Sequence, residues 1–141
     1  MTAFFRTYGI YFAWLIAVIA SLGSLAFSEL LLYVPCKLCW LQRIFMYPLA
    51  IQLGIASYRT DRNAIVYALP LSIVGVLIAA YHVLLQLFPS LESITPCRGG
   101  ISCSQDYINW LGFITIPMLS LTAFTLITAM LLFTRRADKL N

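Results

Sequence analysis

Charge is what this chain has least of. Only 10% of its 141 residues are charged, against about 25% in an ordinary soluble domain. That is too little polar surface to cover a water-soluble globule. With 62% hydrophobic residues and a mean hydropathy of +0.90, lipid is the solvent for most of the chain. The net charge of +4 therefore calls for no nucleic-acid partner, and its distribution speaks to orientation instead. Internal repeats and low-complexity segments are missing. So is the alternating pattern of barrel strands, which leaves helices as the way to pair every backbone polar group in lipid. Histidine occurs once, at position 82.

What is present is a set of four apolar runs, over residues 10–27, 40–58, 64–88 and 110–133. The first follows a single basic residue, Arg6, and is longer than the roughly 7–15 apolar residues of a secretory signal. It approaches the ~20 needed to cross a bilayer and reads as a retained helix, with Ser21, Gly23 and Ser24 as small residues for close helix packing. Four spans predict an all-α, integral membrane four-helix bundle forming one domain over 1–141, with both termini on one side. That side collects Arg6, Arg59, Arg62, Arg135, Arg136 and Lys139, whereas the other has Lys37 and Arg98, with Arg43 at its boundary. The positive-inside rule then predicts cytoplasmic termini, a multi-pass protein of the cell membrane, and external loops over 28–39 and 89–109. Trp40, Trp110, Tyr33 and Tyr107 fall near the outer boundary, and Tyr8, Tyr11, Trp14 and Tyr58 near the inner one.

All four cysteines fall in or beside the two external loops. Outside the cytoplasm thiols are not held reduced, so the bland reading is two structural disulfides bracing the loops. The Cys36-x-x-Cys39 spacing argues against it, because so small a ring removes little entropy from the unfolded chain. The pair also opens the second helix, where the helix dipole and Lys37 favour thiolate. Five residues, including Gly99 and Gly100, separate Cys97 from Cys103; so flexible a loop suits a labile, partner-facing disulfide better than a structural clip. Four thiolates would suit zinc or an iron–sulfur cluster, but both loops would have to close around one metal in an oxidising compartment, and no metal is expected.

Arg43 lies four residues after Cys39, on the same helix face beneath it. A guanidinium inside the apolar boundary is a functional candidate by default, although snorkelling to headgroups would also satisfy it. The functional reading is hydrogen bonding to a bound carbonyl beside Cys39. A quinone fits: it is apolar, dissolves in the bilayer, and has carbonyl oxygens that become anionic on reduction. His82, at a similar depth, serves either an interhelical hydrogen bond or a proton to the second quinone oxygen. Gln42 either joins that site or faces a neighbouring helix. Pro48, Pro70 and Pro117 are expected to interrupt helices, Pro48 releasing the carbonyl of Ile44 beside Arg43.

These features together resemble the DsbB family of thiol:quinone oxidoreductases. The words Pro35-Cys36, Leu38-Cys39-Trp40, Gln42-Arg43 and Met46-Tyr47-Pro48-Leu49 are similar to the BdbC branch from Gram-positive bacteria. So are Pro96-Cys97 through Cys103, Tyr107-Ile108-Asn109-Trp110 and Phe113-Ile114-Thr115-Ile116-Pro117. The resemblance implies a relay. A thioredoxin-fold thiol oxidase, similar to DsbA or BdbD, attacks a Cys97–Cys103 disulfide at Cys97. Cys103 attacks Cys36 of a Cys36–Cys39 disulfide, and Cys39, released over Arg43, passes electrons to the membrane quinone. The branch implies menaquinone rather than ubiquinone, a choice the residues alone do not make. Two features depart from the better-known type: its second pair is widely spaced on a longer loop, and it has an acidic residue where Gln42 stands. The vitamin K epoxide reductase family shares the four-helix thiol–quinone plan but opens its last helix with Cys-x-x-Cys. The rival from another class is a structural membrane protein with two loop-bracing disulfides and no catalysis.

Overall fold

The computed structural model describes residues 2–30, 32, 35–88, 90 and 115–140. They form four helices: α1 (Thr2–Glu29), α2 (Lys37–Arg59), α3 (Ala64–Leu87) and α4 (Ile116–Lys139). Each is long and apolar enough to cross a membrane. At 1.5 Å per residue, even the 23 residues of α2 reach about 35 Å, enough for a hydrocarbon core of about 30 Å. Successive helices pack together, and α1 closes against α4, so the four surround one core in chain order. Large apolar side chains also crowd the outside, among them Ile19 at 62%, Ile51 at 66% and Leu77 at 64% exposed. In water this surface would drive aggregation; in lipid it is the solvated face.

Helices outlast the apolar runs that reveal them, because backbone pairing continues into polar residues. α1 begins at Thr2 rather than near residue 10, and α2 at Lys37 rather than residue 40. α4 continues to Lys139, six residues past the last apolar run, and ends on Arg136 and Lys139, where cations suit the negative end of the helix dipole. Its expected start at residue 110 lies outside the described residues. Pro117 does not interrupt α4 but sits in its first turn, where a missing N–H costs nothing. Pro48 and Pro70 do lie inside α2 and α3.

The turn between α2 and α3 is tight. Thr60 caps α2 in the left-handed region (φ 52°), and its N–H returns to the carbonyl of Ala56. Asn63 N–H donates to Asp61 Oδ1 at 2.9 Å, and Arg62 pairs with Asp138 near the end of α4. Phe5 stacks on Phe133 at 5.5 Å between centroids. The start of α1, the α2–α3 turn and the end of α4 therefore share one end of the bundle, and Cys36 and His82 lie at the other.

Close packing falls on different small residues from those expected. A Cβ on Gly75 of α3 would come within 2.2 Å of the buried Phe124 ring of α4, and one on Gly9 within 1.9 Å of Thr134 Oγ1. A Cβ on Gly23 would meet nothing within 4 Å: that residue borders a cavity rather than a helix contact, which corrects its assignment as a packing residue. Gly75→Leu is expected to cost about 1–3 kcal/mol or more by overpacking, while Gly23→Leu leaves the thermal midpoint in place. Thermal unfolding of the two variants in detergent, followed by helix signal, checks the contrast.

Candidate active site

The site is built where α2 begins. Cys36 is the N-cap residue of α2, extended at φ −67° and ψ 169°, and its sulfur accepts the backbone N–H of Cys39 at 3.4 Å. A cysteine in this position takes the place of the usual serine or aspartate cap, so a negative sulfur is favoured by the helix itself. Both thiols are free, with their Sγ atoms 3.1 Å apart and hydrogen-bonded. Cys36 is 5% exposed, packed with Leu38 and Leu85.

α3 delivers His82 to the same sulfur. Its Nε2 lies 3.6 Å from Cys36 Sγ, and its Nδ1 lies 3.2 Å from Gln42 Nε2. The amide donates to Nδ1, which puts the ring proton on Nε2, directed at Cys36. For His82 this is the interhelical hydrogen bond of the two readings offered, with Gln42 facing the neighbouring helix as its partner, and the ring also meets the Cys36 sulfur. Cys36 lies just ahead of the spanning helix, and its thiol is pulled down to about 4. The hydrogen bond from the Cys39 side chain is the largest cause, followed by the hydrogen bond and charge of His82 and the Cys39 N–H, all acting against burial.

This has a pH signature. An ordinary thiol titrates near 8.5, so the folded reduced chain holds a thiolate that the unfolded chain does not. The stability this contributes is full above the ordinary thiol range and is lost as pH falls through about 4. In a chain carrying Cys97→Ser and Cys103→Ser, thiolate ultraviolet absorbance of the reduced Cys36–Cys39 pair is expected to persist at neutral pH and to disappear with a midpoint near 4; an ordinary midpoint near 8.5 would contradict this geometry.

Arg43 is 9% exposed, so it does not snorkel. Nε donates to Ser24 Oγ at 2.9 Å and Nη2 to the Ser24 carbonyl at 2.8 Å, near the end of α1. Its guanidinium also lies over the Trp40 ring, 5.5 Å from the centroid. The side chain is drawn to α1 rather than bonded to the sulfur above it, because a carbonyl oxygen with a second lone pair and a hydroxyl are better acceptors than a thiol. This fixes Arg43 on the wall of a cavity of about 440 Å³.

Cys36, Cys39, Gln42 and His82 border the same cavity, whose remaining wall is mostly apolar and includes Phe27, Ala20 and Phe124. Tyr47, one turn beyond Arg43, also lines it, and among the described residues its buried hydroxyl has no hydrogen-bond partner. A hydroxyl on the wall of a cavity can donate to a polar atom held there. The expected site residues Cys36, Cys39, Gln42, Arg43 and His82 are thus brought together, while Cys97 and Cys103 lie outside the described residues. Sequence reasoning missed Ser24, taken for a packing residue, and Tyr47. The i, i+4 spacing of Tyr47 from Arg43 was the one signal available for it.

A dithiol with one buried and one half-buried sulfur at the mouth of an apolar cavity in a membrane bundle is the arrangement found here, and the model of the DsbB family, described as disulfide bond formation protein DsbB, matches residues 6–134. The chain belongs to the DsbB family. It is 52% identical over 118 residues to disulfide bond formation protein C of Bacillus subtilis, covering 84% of this chain and 86% of that one. The probable disulfide formation protein C of Halalkalibacterium halodurans is 47% identical, covering 82% and 84%. A probable disulfide formation protein of Coxiella burnetii is 49% identical, covering 84% and 81%. No solved structure matches significantly. As a DsbB-family member the chain is a multi-pass membrane disulfide oxidoreductase, of a family whose role is electron transfer to quinone. That displaces the reading of a purely structural membrane protein.

Proposed function

We propose that this DsbB-family chain re-oxidises an extracytoplasmic thioredoxin-fold thiol oxidase of the DsbA/BdbD kind, with menaquinone as electron acceptor. The observation that carries the reading is the shared cavity. It joins a reactive dithiol, an anchored guanidinium and an orphan hydroxyl to an apolar wall of the size small-molecule sites have. Ile19, Leu119 and Leu126 on that wall are exposed to the lipid side, which supports sideways entry between α1 and α4 for a ligand dissolved in the bilayer.

In this reading Cys97 takes the incoming thiolate, breaking the Cys97–Cys103 bond. Cys103 attacks Cys36 Sγ, forming a Cys36–Cys103 bond, breaking the Cys36–Cys39 bond and leaving the electron pair on Cys39. The partner's second thiol resolves the partner–Cys97 bond, and the partner leaves oxidised. Cys97 attacks Cys103 to restore Cys97–Cys103 and release Cys36, and the Cys36–Cys39 dithiol is the pair re-oxidised to a disulfide. The quinone, when bound, accepts two electrons and two protons. Arg43, held from behind by Ser24, presents its remaining N–H groups to a carbonyl oxygen that gains negative charge. Tyr47 Oη donates to the same headgroup. His82 stabilises Cys36 whenever it is the thiolate, and Gln42 fixes the ring tautomer for that task. Arg59, Arg62, Arg135, Arg136 and Lys139 gather toward the end away from Cys36; the positive-inside rule makes that end cytoplasmic and the cysteine mouth external.

The test is a liposome assay with purified protein, menaquinone and a reduced thioredoxin-fold oxidase. Partner thiols are expected to be consumed in step with quinone reduction, two electrons each. A partner left reduced in the presence of quinone overturns the reading.

A further inference from the structure

The Cys36 and Cys39 sulfurs and His82 Nε2 lie within 4.8 Å of one another. The closeness that lets His82 stabilise the Cys36 thiolate also sets three donor atoms around one point. A tetrahedral zinc ion with Zn–S bonds of about 2.3 Å sets its sulfur ligands about 3.7 Å apart and sulfur from nitrogen about 3.5 Å. The observed separations are 3.1 Å between the sulfurs and 3.6 Å from Cys36 Sγ to Nε2. The third edge, Cys39 Sγ to the imidazole, is no longer than 4.8 Å, so a side-chain rotation of Cys39 that opens the sulfur pair by roughly half an ångström and turns it toward His82 would complete three corners of a tetrahedron. The fourth corner is left open, as in zinc sites that keep an exchangeable position.

We propose that the reduced site binds a soft divalent metal ion, zinc or cadmium, through Cys36 Sγ, Cys39 Sγ and His82 Nε2, so that metal binding and the Cys36–Cys39 disulfide exclude one another. Two thiolates and an imidazole are the donor set such ions select. The N-cap geometry supplies one sulfur already favoured as thiolate, and the metal displaces the proton of the other. Metal-ligating histidines need a second partner on the far nitrogen, and Gln42 provides it. With thiolate alone, the Gln42 amide donates to Nδ1 and the ring proton points at sulfur. With metal on Nε2, the proton moves to Nδ1, and the same amide turns to accept it through Oε1. An acidic residue at position 42 could only accept; glutamine serves both tautomers. The metal holds the pair as dithiolate, so a bound chain cannot re-form the Cys36–Cys39 bond until the ion leaves.

The test uses the full chain with Cys97→Ser and Cys103→Ser, leaving one cysteine pair, reduced and titrated anaerobically with Cd²⁺ in detergent. One ion per chain is expected, with a thiolate-to-metal charge-transfer band that also appears when Cd²⁺ displaces zinc from the zinc-loaded chain. Oxidising Cys36–Cys39 beforehand is expected to abolish binding in the same folded protein. Gln42→Leu is expected to weaken binding about 10–100-fold, and His82→Ala at least as much, with helicity retained. Absence of stoichiometric binding, equal binding by the oxidised chain, or undiminished affinity in helical His82→Ala overturns the proposal. Should His82→Ala not fold, His82→Gln decides, because it keeps a polar side chain of similar bulk and removes the imidazole ligand: undiminished affinity there removes the histidine from the site. No quinone or partner enters the measurement, so its failure leaves the oxidoreductase reading untouched.

Discussion

Serine in place of Cys36 is expected to end turnover, with partner oxidation in the liposome assay falling to the uncatalysed background. Thiol–disulfide exchange proceeds by thiolate attack along a line of sulfurs, and a hydroxyl can neither be attacked by Cys103 nor release Cys39. The fold is expected to survive. A ring closed by so few residues contributes about 2 kcal/mol by loop-closure entropy, and the packing of α2 rests on Leu49 and Leu53, both fully buried far from the cysteines. Helix content should therefore stay near the wild-type value and the detergent thermal midpoint fall by only about 4–8 °C, while activity is lost. Cys97→Ser separates the two halves of the relay. It is expected to stop oxidation of the protein partner while a small dithiol, able to reach Cys36–Cys39 directly, still reduces quinone. Loss of both activities in Cys97→Ser would place that cysteine at the quinone step and contradict the order of transfer proposed above.

Arg43→His is expected to slow quinone reduction about 100-fold, the usual scale for losing a preorganised donor to a developing oxyanion, with exchange between partner and cysteines preserved. The guanidinium is placed by two bonds to Ser24 and a Trp40 face, so its position is settled before any ligand arrives. An imidazole is too short to keep both contacts. Ser24→Ala removes one bond and leaves the carbonyl contact of Nη2, and its effect is expected to be smaller, about tenfold or less for a misaligned rather than missing group. Stopped-flow quinone reduction by the pre-reduced chain measures both variants free of the partner step. Unchanged quinone kinetics in Arg43→His would remove that residue from the acceptor site.

The four spans were legible because apolar length is a lipid requirement that each run satisfies by itself, without reference to the rest of the fold. The Cys36-x-x-Cys39 pair and Arg43 were legible for the same reason, since residues three and four apart share a helix face whatever surrounds them. The small residues of α1 were misjudged, because the chain alone does not say which face of a helix meets a neighbour. Gly23 opens on a cavity and Ser24 binds Arg43, while Gly75 makes the tight contact with Phe124.

What the sequence by itself determined is therefore local and compositional: a lipid-dissolved, four-helix chain with a redox-type cysteine pair at a helix mouth and a nearby guanidinium. Only the tertiary structure decided which residues from distant segments complete the site. His82 is 46 residues from Cys36 and Ser24 is 19 from Arg43, and helical spacing reaches one turn, not across a bundle. Close approach of α3 and α1 to α4, at Gly75 against Phe124 and Gly9 against Thr134, belongs to the same packing in which an imidazole meets the first sulfur and a serine meets the arginine. Side-chain packing between helices, which no single segment encodes, gives Cys36 its imidazole and Arg43 its serine.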